Sequence, residues 1–133
     1  MVNTSSGKVR EILADTLLNL TPDWSPQGNE IIFSRHVTAD FHGSIWVIHS
    51  NGTGLHQLTV QGMPCGGANA DPNAVGCHGV RWSPDGMKII FAASTPDSGL
   101  NIYTANADGS GLTQVSFDGF DDDPSWGTHP PVD

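Results

Sequence analysis

The sequence predicts an all-β chain built of β-propeller blades, each a four-stranded antiparallel sheet. Three observations predict it. One set of motifs occurs twice in the same order, and a third start lies 44 positions after the second (Trp82 to Trp126). Turn residues fall at strand-length intervals between β-branched and aromatic runs. The 133 residues hold 16 glycines and nine prolines, with 14% charged and 37% hydrophobic residues, a mix that suits a turn-rich β domain better than a helical or disordered one.

The elements follow in order. Thr4-Ser5-Ser6-Gly7 and then Val9–Leu13 fit a turn and the outer strand of a preceding blade; Val9, Ile12, Leu13, Leu17 and Leu20 also have helical spacing. The first copy runs Trp24-Ser25-Pro26, Ile31-Ile32-Phe33, Ile45-Trp46-Val47, Asn51-Gly52-Thr53-Gly54 and Leu55-His56-Gln57-Leu58-Thr59. The second runs Trp82-Ser83-Pro84, Ile89-Ile90-Phe91, Ile102-Tyr103-Thr104, Asp108-Gly109-Ser110-Gly111 and Leu112-Thr113-Gln114-Val115-Ser116. Proline second and glycine last in Ser25–Gly28 and Ser83–Gly86 suit a tight turn, and Asn51-Gly52 and Asp108-Gly109 are hairpin signals. The strands of each unit are expected around Trp24 or Trp82, at Ile31–Phe33 or Ile89–Phe91, at Ile45–His49 or Ile102–Ala105, and at Leu55–Val60 or Leu112–Phe117. Gly52 to Trp82 is 30 positions and Gly109 to Trp126 is 17, so the first linker carries 13 extra, around Cys65 to Cys77. The expected organisation is therefore the end of a blade and a linker over 1–20, a first blade over 21–62, an inserted loop over 63–79, a second blade over 80–120, and the start of a third with a tail over 121–133.

Pro-x-Trp-Ser-Pro-x-Gly, the Ile-Ile-Phe strand, the Ile-aromatic strand, Asn/Asp-Gly-x-Gly and the closing Leu-Thr or Val-Ser together resemble the TolB-like, WD-repeat-like propeller repeat, over nearly the whole chain. Gln27 stands where an aspartate is usual, and Gly127-Thr128-His129-Pro130-Pro131 breaks the third copy after its tryptophan. The resemblance implies blades in a ring commonly of six, in a family that includes periplasmic assembly proteins and the propeller domains of some peptidases and lyases. It is nearly silent about chemistry, because this fold hosts many functions. Two blades do not close a ring, and an open pair leaves apolar faces bare. A homo-oligomer, with a trimer supplying six blades, is one expectation; a piece of a longer propeller, or completion by another protein, is the other.

Five basic against fourteen acidic residues give a net charge of −9 and a pI near 4.7. That argues against nucleic acid and anionic membrane surfaces, and for a cationic protein patch or a metal cation. No apolar run is long enough for membrane insertion as a helix, and Met1–Gly7 is polar, without a secretory signal's core. Cys65 and Cys77 sit in one Gly-, Asn- and Pro-rich stretch. A disulfide closing it would imply an oxidising compartment, and two free thiols are the alternative. With the resemblance, the expected location is periplasmic or secreted.

In a propeller the loops between strands two and three, and between blades, lie on one face around the channel mouth. Here these are 35–44, 61–79, 93–99 and 118–123, and they collect His36, Asp40, His42, His78, Asp97, Asp118, Asp121, Asp122 and Asp123 as candidate binding residues. Asp118, Asp121 and Asp122 could hold Ca²⁺, which wants several oxygen ligands, although the spacing is not that of the helix-flanked calcium loop; a solvated acidic turn is the plainer reading. His36, His42 and His78 have no paired ligand spacing, so packing or surface roles are expected. Trp24, Trp82 and Trp126 recur at one repeat position and read as inter-blade core, with Trp46 and Tyr103 likewise structural. No Gly-x-Ser-x-Gly elbow is present, and no catalytic residue is singled out. The expected function is a non-catalytic protein-interaction scaffold without a required cofactor; the alternatives are a metal-dependent lyase or hydrolase and a carbohydrate- or Ca²⁺-binding module.

Overall fold

The structure, a computed structural model, describes residues 6–36, 43–63, 65–66 and 75–127. The strands are β1 (Leu18–Trp24), β2 (Glu30–His36), β3 (Ser44–His49), β4 (His56–Gln57), β5 (Gly76–Trp82), β6 (Lys88–Thr95), β7 (Gly99–Asn106) and β8 (Thr113–Gln114). They form two antiparallel four-stranded sheets, ordered β1-β2-β3-β4 and β5-β6-β7-β8. Among the described residues no helix is long and apolar enough to cross a membrane.

The sequence repeat extends to individual hydrogen bonds. Gly28 N–H donates to Ser25 C=O at 2.8 Å and Gly86 N–H to Ser83 C=O at 2.8 Å, while each serine hydroxyl accepts from the amide five residues on. In the hairpins, Asn51 Oδ1 accepts from the amide and hydroxyl of Thr53, and Asp108 Oδ1 from those of Ser110. These side chains mimic a backbone turn and so set strand register locally.

Hydrogen bonding also lowers two carboxyl pKa values. The Ser83 hydroxyl and the Met87 amide hold Asp85 below its usual 3.8, and the Ser110 hydroxyl and amide do the same for Asp108. A depressed folded-state pKa adds stability above the unfolded value, and that stability is lost as pH falls through the folded value. The double variant Asp85→Asn/Asp108→Asn keeps an acceptor oxygen but no charge. Its melting temperature should fall below the wild type's at neutral pH, and the gap should close toward pH ~2. A gap independent of pH would contradict this account.

The two sheets stack face to face. Strand alternation gives each blade a front and a back face. The front carries Ile31, Phe33 and Ile48 in the first blade and Ile89, Phe91 and Tyr103 in the second; the back carries Ile32, Ile45 and Val47 in the first and Ile90, Ala92 and Ile102 in the second. The first blade's back face packs on the second blade's front face, forming the main core with Val80 and Trp82. Each buried side chain of this size stabilises by roughly 1.5–3 kcal/mol. The outer faces are smaller clusters: Ile12 and Leu13 lie on the first blade's front, and Leu100 and Trp126 on the second blade's back.

Hydrogen bonds cross the seam. Trp82 N–H donates to the Asp23 carboxylate at 2.7 Å, Arg81 Nη1 to Thr21 C=O at 3.1 Å, Cys77 N–H to Gly43 C=O at 2.7 Å, and Gln61 N–H to Gly109 C=O at 2.8 Å. Only glycine fits at 109: a Cβ there would stand 2.1 Å from Thr59 C=O, and its φ is +86°.

Each inner strand also carries the same irregularity. The β1–β2 register shifts between Leu20 and Asp23, where Thr21 has φ 49°, and the β5–β6 register between His78 and Arg81, where Gly79 has φ 63°. Asp123, 44 positions after Gly79, has φ 47°. Two residues earlier, Asp121 N–H donates to Leu100 C=O at 3.0 Å, the counterpart of Cys77 to Gly43. Residues 121–123 thus repeat the local backbone geometry of the two inner strands, without being paired into a strand.

Three expectations need correction. Residues 7–17 form neither the outer strand expected at Val9–Leu13 nor a helix. They run across the first blade's front face instead, where burial of Ile12 and Leu13 outweighs edge pairing; Asp15 pairs with the buried Arg35, whose guanidinium lies 4.9 Å over Trp46. The fourth strands are short, two residues each rather than Leu55–Val60 and Leu112–Phe117. Past Leu58 the chain leaves the sheet for the next blade, and Gln61 donates across the seam rather than to β3. Trp24 is exposed, unlike Trp82 in the core, because no further blade covers the first blade's front face among the described residues. The expected bridge between Cys65 and Cys77 is present, with Cα atoms 5.4 Å apart.

Candidate functional site

The repeat explains how the loop-face residues are placed. His78, on β5, and Asp122, beyond the last strand, occupy equivalent repeat positions 44 apart, each one residue before a positive-φ residue. The irregularity turns both side chains to the same seam, where His78 Nε2 lies 3.1 Å from Asp122 Oδ1. Asp122 Oδ1 also accepts from Asp123 N–H at 2.7 Å, and the Asp123 carboxylate borders Gly79. Both members of the pair are partly open to solvent.

The other candidates separate. His36 is buried at the end of β2 with its ring against Gly43, so it packs the loop base. Asp97 is exposed in the β6–β7 turn, and Asp118 is exposed with Oδ1 accepting from Phe120 N–H at 3.3 Å. Asp121 is half-buried and held by its backbone. Asp40 and His42 lie outside the described residues. Among the described residues no three of His, Cys, Asp and Glu are grouped to hold a metal ion.

Two features escaped sequence reasoning. Phe120 projects into solvent from a tightly fixed turn: Leu100 N–H donates to Gly119 C=O at 3.1 Å, and Gly119 N–H to Oδ1 of the fully buried Asn101 at 3.0 Å. Its composition, a phenylalanine among aspartates, was the available signal. Second, a recess of about 300 Å³ opens between the inner strands, lined by Trp24, Trp82 and Trp126 with Asp23, Arg81 and Ser125. The recurring tryptophans marked it, but their repeat position was absorbed into the core.

No protein-family model matches the sequence, and no curated protein does. Solved structures do. A putative TolB from Agrobacterium tumefaciens superposes with a TM-score of 0.67 at 21% identity, over 85% of this chain and 38% of that one. TolB from Acinetobacter baumannii gives 0.63 at 19%, over 87% and 25%. An oligogalacturonate lyase in complex with manganese gives 0.61 at 20%, over 85% and 28%. The chain therefore spans well under half the length of each, and at these identities the likeness is one of fold. It establishes the propeller-blade architecture.

Proposed function

We propose, from a chain that folds as TolB-type propeller blades, that it is a non-catalytic protein-interaction scaffold receiving a cationic partner on its loop face. One observation carries the reading. Phe120 is an exposed aromatic on a hydrogen-bonded turn, in a segment that also carries Asp118, Asp121, Asp122 and Asp123. An aromatic anchor that needs no ordering on binding, within a charged rim, is the arrangement from which interface energy concentrates. The partner it fits presents an apolar pocket ringed by lysine or arginine. The disulfide supports an oxidising compartment, periplasmic or secreted, for this activity.

Capture with wild-type bait beside Phe120→Ala and Asp122→Asn baits tests the reading. A protein retained by the wild type should bind Phe120→Ala about tenfold or more weakly, as expected for a truncated anchor. Asp122→Asn should weaken retention mainly at low salt, because rim charges act through a screened field. Neither change should alter folding. Equal retention by all three baits overturns the placement.

A second reading, a metal-dependent lyase, is favoured by the fold shared with the manganese-bound oligogalacturonate lyase and by the His78–Asp122 pair. Incubation with oligogalacturonate and added Mn²⁺ separates the two: turnover that His78→Ala abolishes would replace the scaffold reading.

A further inference from the structure

The repeat supplies two versions of one turn. The β3–β4 hairpin reverses at Asn51-Gly52 and the β7–β8 hairpin at Asp108-Gly109. Their backbone bonds match. Gly52 N–H donates to His49 C=O at 2.8 Å and Gly109 N–H to Asn106 C=O at 2.9 Å, while His49 N–H donates to Thr53 C=O at 2.9 Å and Asn106 N–H to Ser110 C=O at 2.8 Å. The side chains match as well. Asn51 Oδ1 accepts from Thr53 N–H at 2.9 Å and from its hydroxyl at 2.7 Å; Asp108 Oδ1 accepts from Ser110 N–H at 2.9 Å and from its hydroxyl at 2.6 Å. One turn therefore holds an amide where the other holds a carboxylate. Both residues are exposed. Asp108 stays exposed although the first blade packs against its own, so the openness of this tip belongs to the hairpin and does not depend on a neighbouring blade.

Asn51-Gly52 is the only Asn-Gly pair in the chain. A glycine after asparagine has no side chain to block its own nitrogen, and the two groups are neighbours along the chain, so no encounter has to be ordered. The two Thr53 donors converge on Oδ1, the atom on which negative charge develops when Cγ becomes tetrahedral. Arg10 Nη2 donates to Ser50 C=O at 2.6 Å, which sets a positive charge beside position 51 and favours a carboxylate there.

We propose that Asn51 is a site of self-modification: the Gly52 nitrogen attacks Asn51 Cγ, and the side-chain amide is exchanged for a carboxylate that the turn accepts without rearrangement. The bond from Cγ to the Gly52 nitrogen forms, the bond to Nδ2 breaks, and Nδ2 leaves as ammonia with the Gly52 proton. Water then opens the cyclic imide. Opening at Cγ returns a proton to the Gly52 nitrogen and gives aspartate, in the position that Asp108 holds in the second copy. Opening at the main-chain carbonyl carbon gives isoaspartate, whose backbone is one methylene longer and does not fit the hairpin bonds. β3 runs from Ser44 beside Arg35 to His49 beside Glu30, so the site lies at the end of the sheet opposite the loop face. It is independent of partner binding there.

The test is peptide mapping by mass spectrometry of the full folded chain held in mildly alkaline buffer. Asn51 should lose its amide faster than any other asparagine of the chain. The folded product should be mainly aspartate, whereas the urea-unfolded chain should give mainly isoaspartate. Thr53→Val removes one of the two donors to Oδ1 and should slow the folded reaction about tenfold, the rate worth of one hydrogen bond. Thr53→Ser keeps the hydroxyl, as the second copy does, and should react like wild type. In urea these variants and wild type should react alike. Asn51→Asp should melt no lower than wild type. A folded chain in which Asn51 reacts no faster than the other asparagines overturns the proposal. So does a Thr53→Val variant that keeps the wild-type rate, isoaspartate as the main folded product, or an Asn51→Asp variant that melts below wild type.

Discussion

Replacing Trp82 by alanine should lower the unfolding free energy by about 3–5 kcal/mol, the cost of a large side chain removed from a close-packed core. Trp82 sits on the second blade's front face opposite Ile89 and joins the cluster that holds the two blades together. Among the described residues its buried indole N–H has no hydrogen-bond partner, so the change removes apolar contact and leaves a cavity. The backbone amide keeps its bond to Asp23, and the seam has little freedom to collapse into the space. Trp24→Ala at the equivalent, half-uncovered position should cost less than half as much. Urea unfolding of both variants checks the pair. Similar losses at the two sites would show that Trp82 is not the inter-blade residue the stacking makes it.

That contrast marks how far the sequence could be read. Strand identity and order were legible because they rest on local chemistry: Ser-Pro-x-Gly and Asn/Asp-Gly turns fix where each hairpin reverses, whatever packs above it. The faces were legible too, since alternation from Ile31 to Phe33 and from Ile89 to Phe91 fixes which side chains share a side. Coverage was not. Trp24 and Trp82 have the same local sequence and different exposure, and the difference lies in whether a second sheet arrives. The segment 7–17 failed for a related reason: Ile12 and Leu13 were read by spacing along the chain, but an apolar face 18–36 residues away decided their place. At the candidate site, His78 and Asp122 were both named as loop residues, and their contact follows from repeat phase. The exposure of Phe120 depends on Asn101, a buried polar side chain whose partner, the Gly119 amide, is 18 residues away.

Removing the disulfide should cost about 3 kcal/mol, and it should do so unevenly. Cys65 and Cys77 are 12 positions apart, and closing a loop of that length withdraws unfolded-state entropy worth roughly 3 kcal/mol in the chain-entropy account. The bridge also fixes the neck of the insertion at the blade seam. Cys65 C=O accepts from Gln57 Nε2 at 3.2 Å, Gly66 N–H donates to Val75 C=O at 2.8 Å, and Cys77 N–H reaches Gly43 at the entry to β3. Cys77 is the second residue of β5, the inner strand that carries His78, so freeing the neck loosens that end of β5 before it disturbs the buried centre of the stack, Phe91 and Ile89. The variant Cys65→Ala/Cys77→Ala should therefore melt about 10 °C below the oxidised wild type, and a reductant should lower the wild type toward it while leaving the variant unchanged. Amide exchange should rise most at residues 75–78 and 43–44, with the β6–β7 amides rising least. A variant that melts with the oxidised wild type would mean that the seam hydrogen bonds alone hold the insertion, and that the disulfide contributes nothing to the face on which a partner is expected to land.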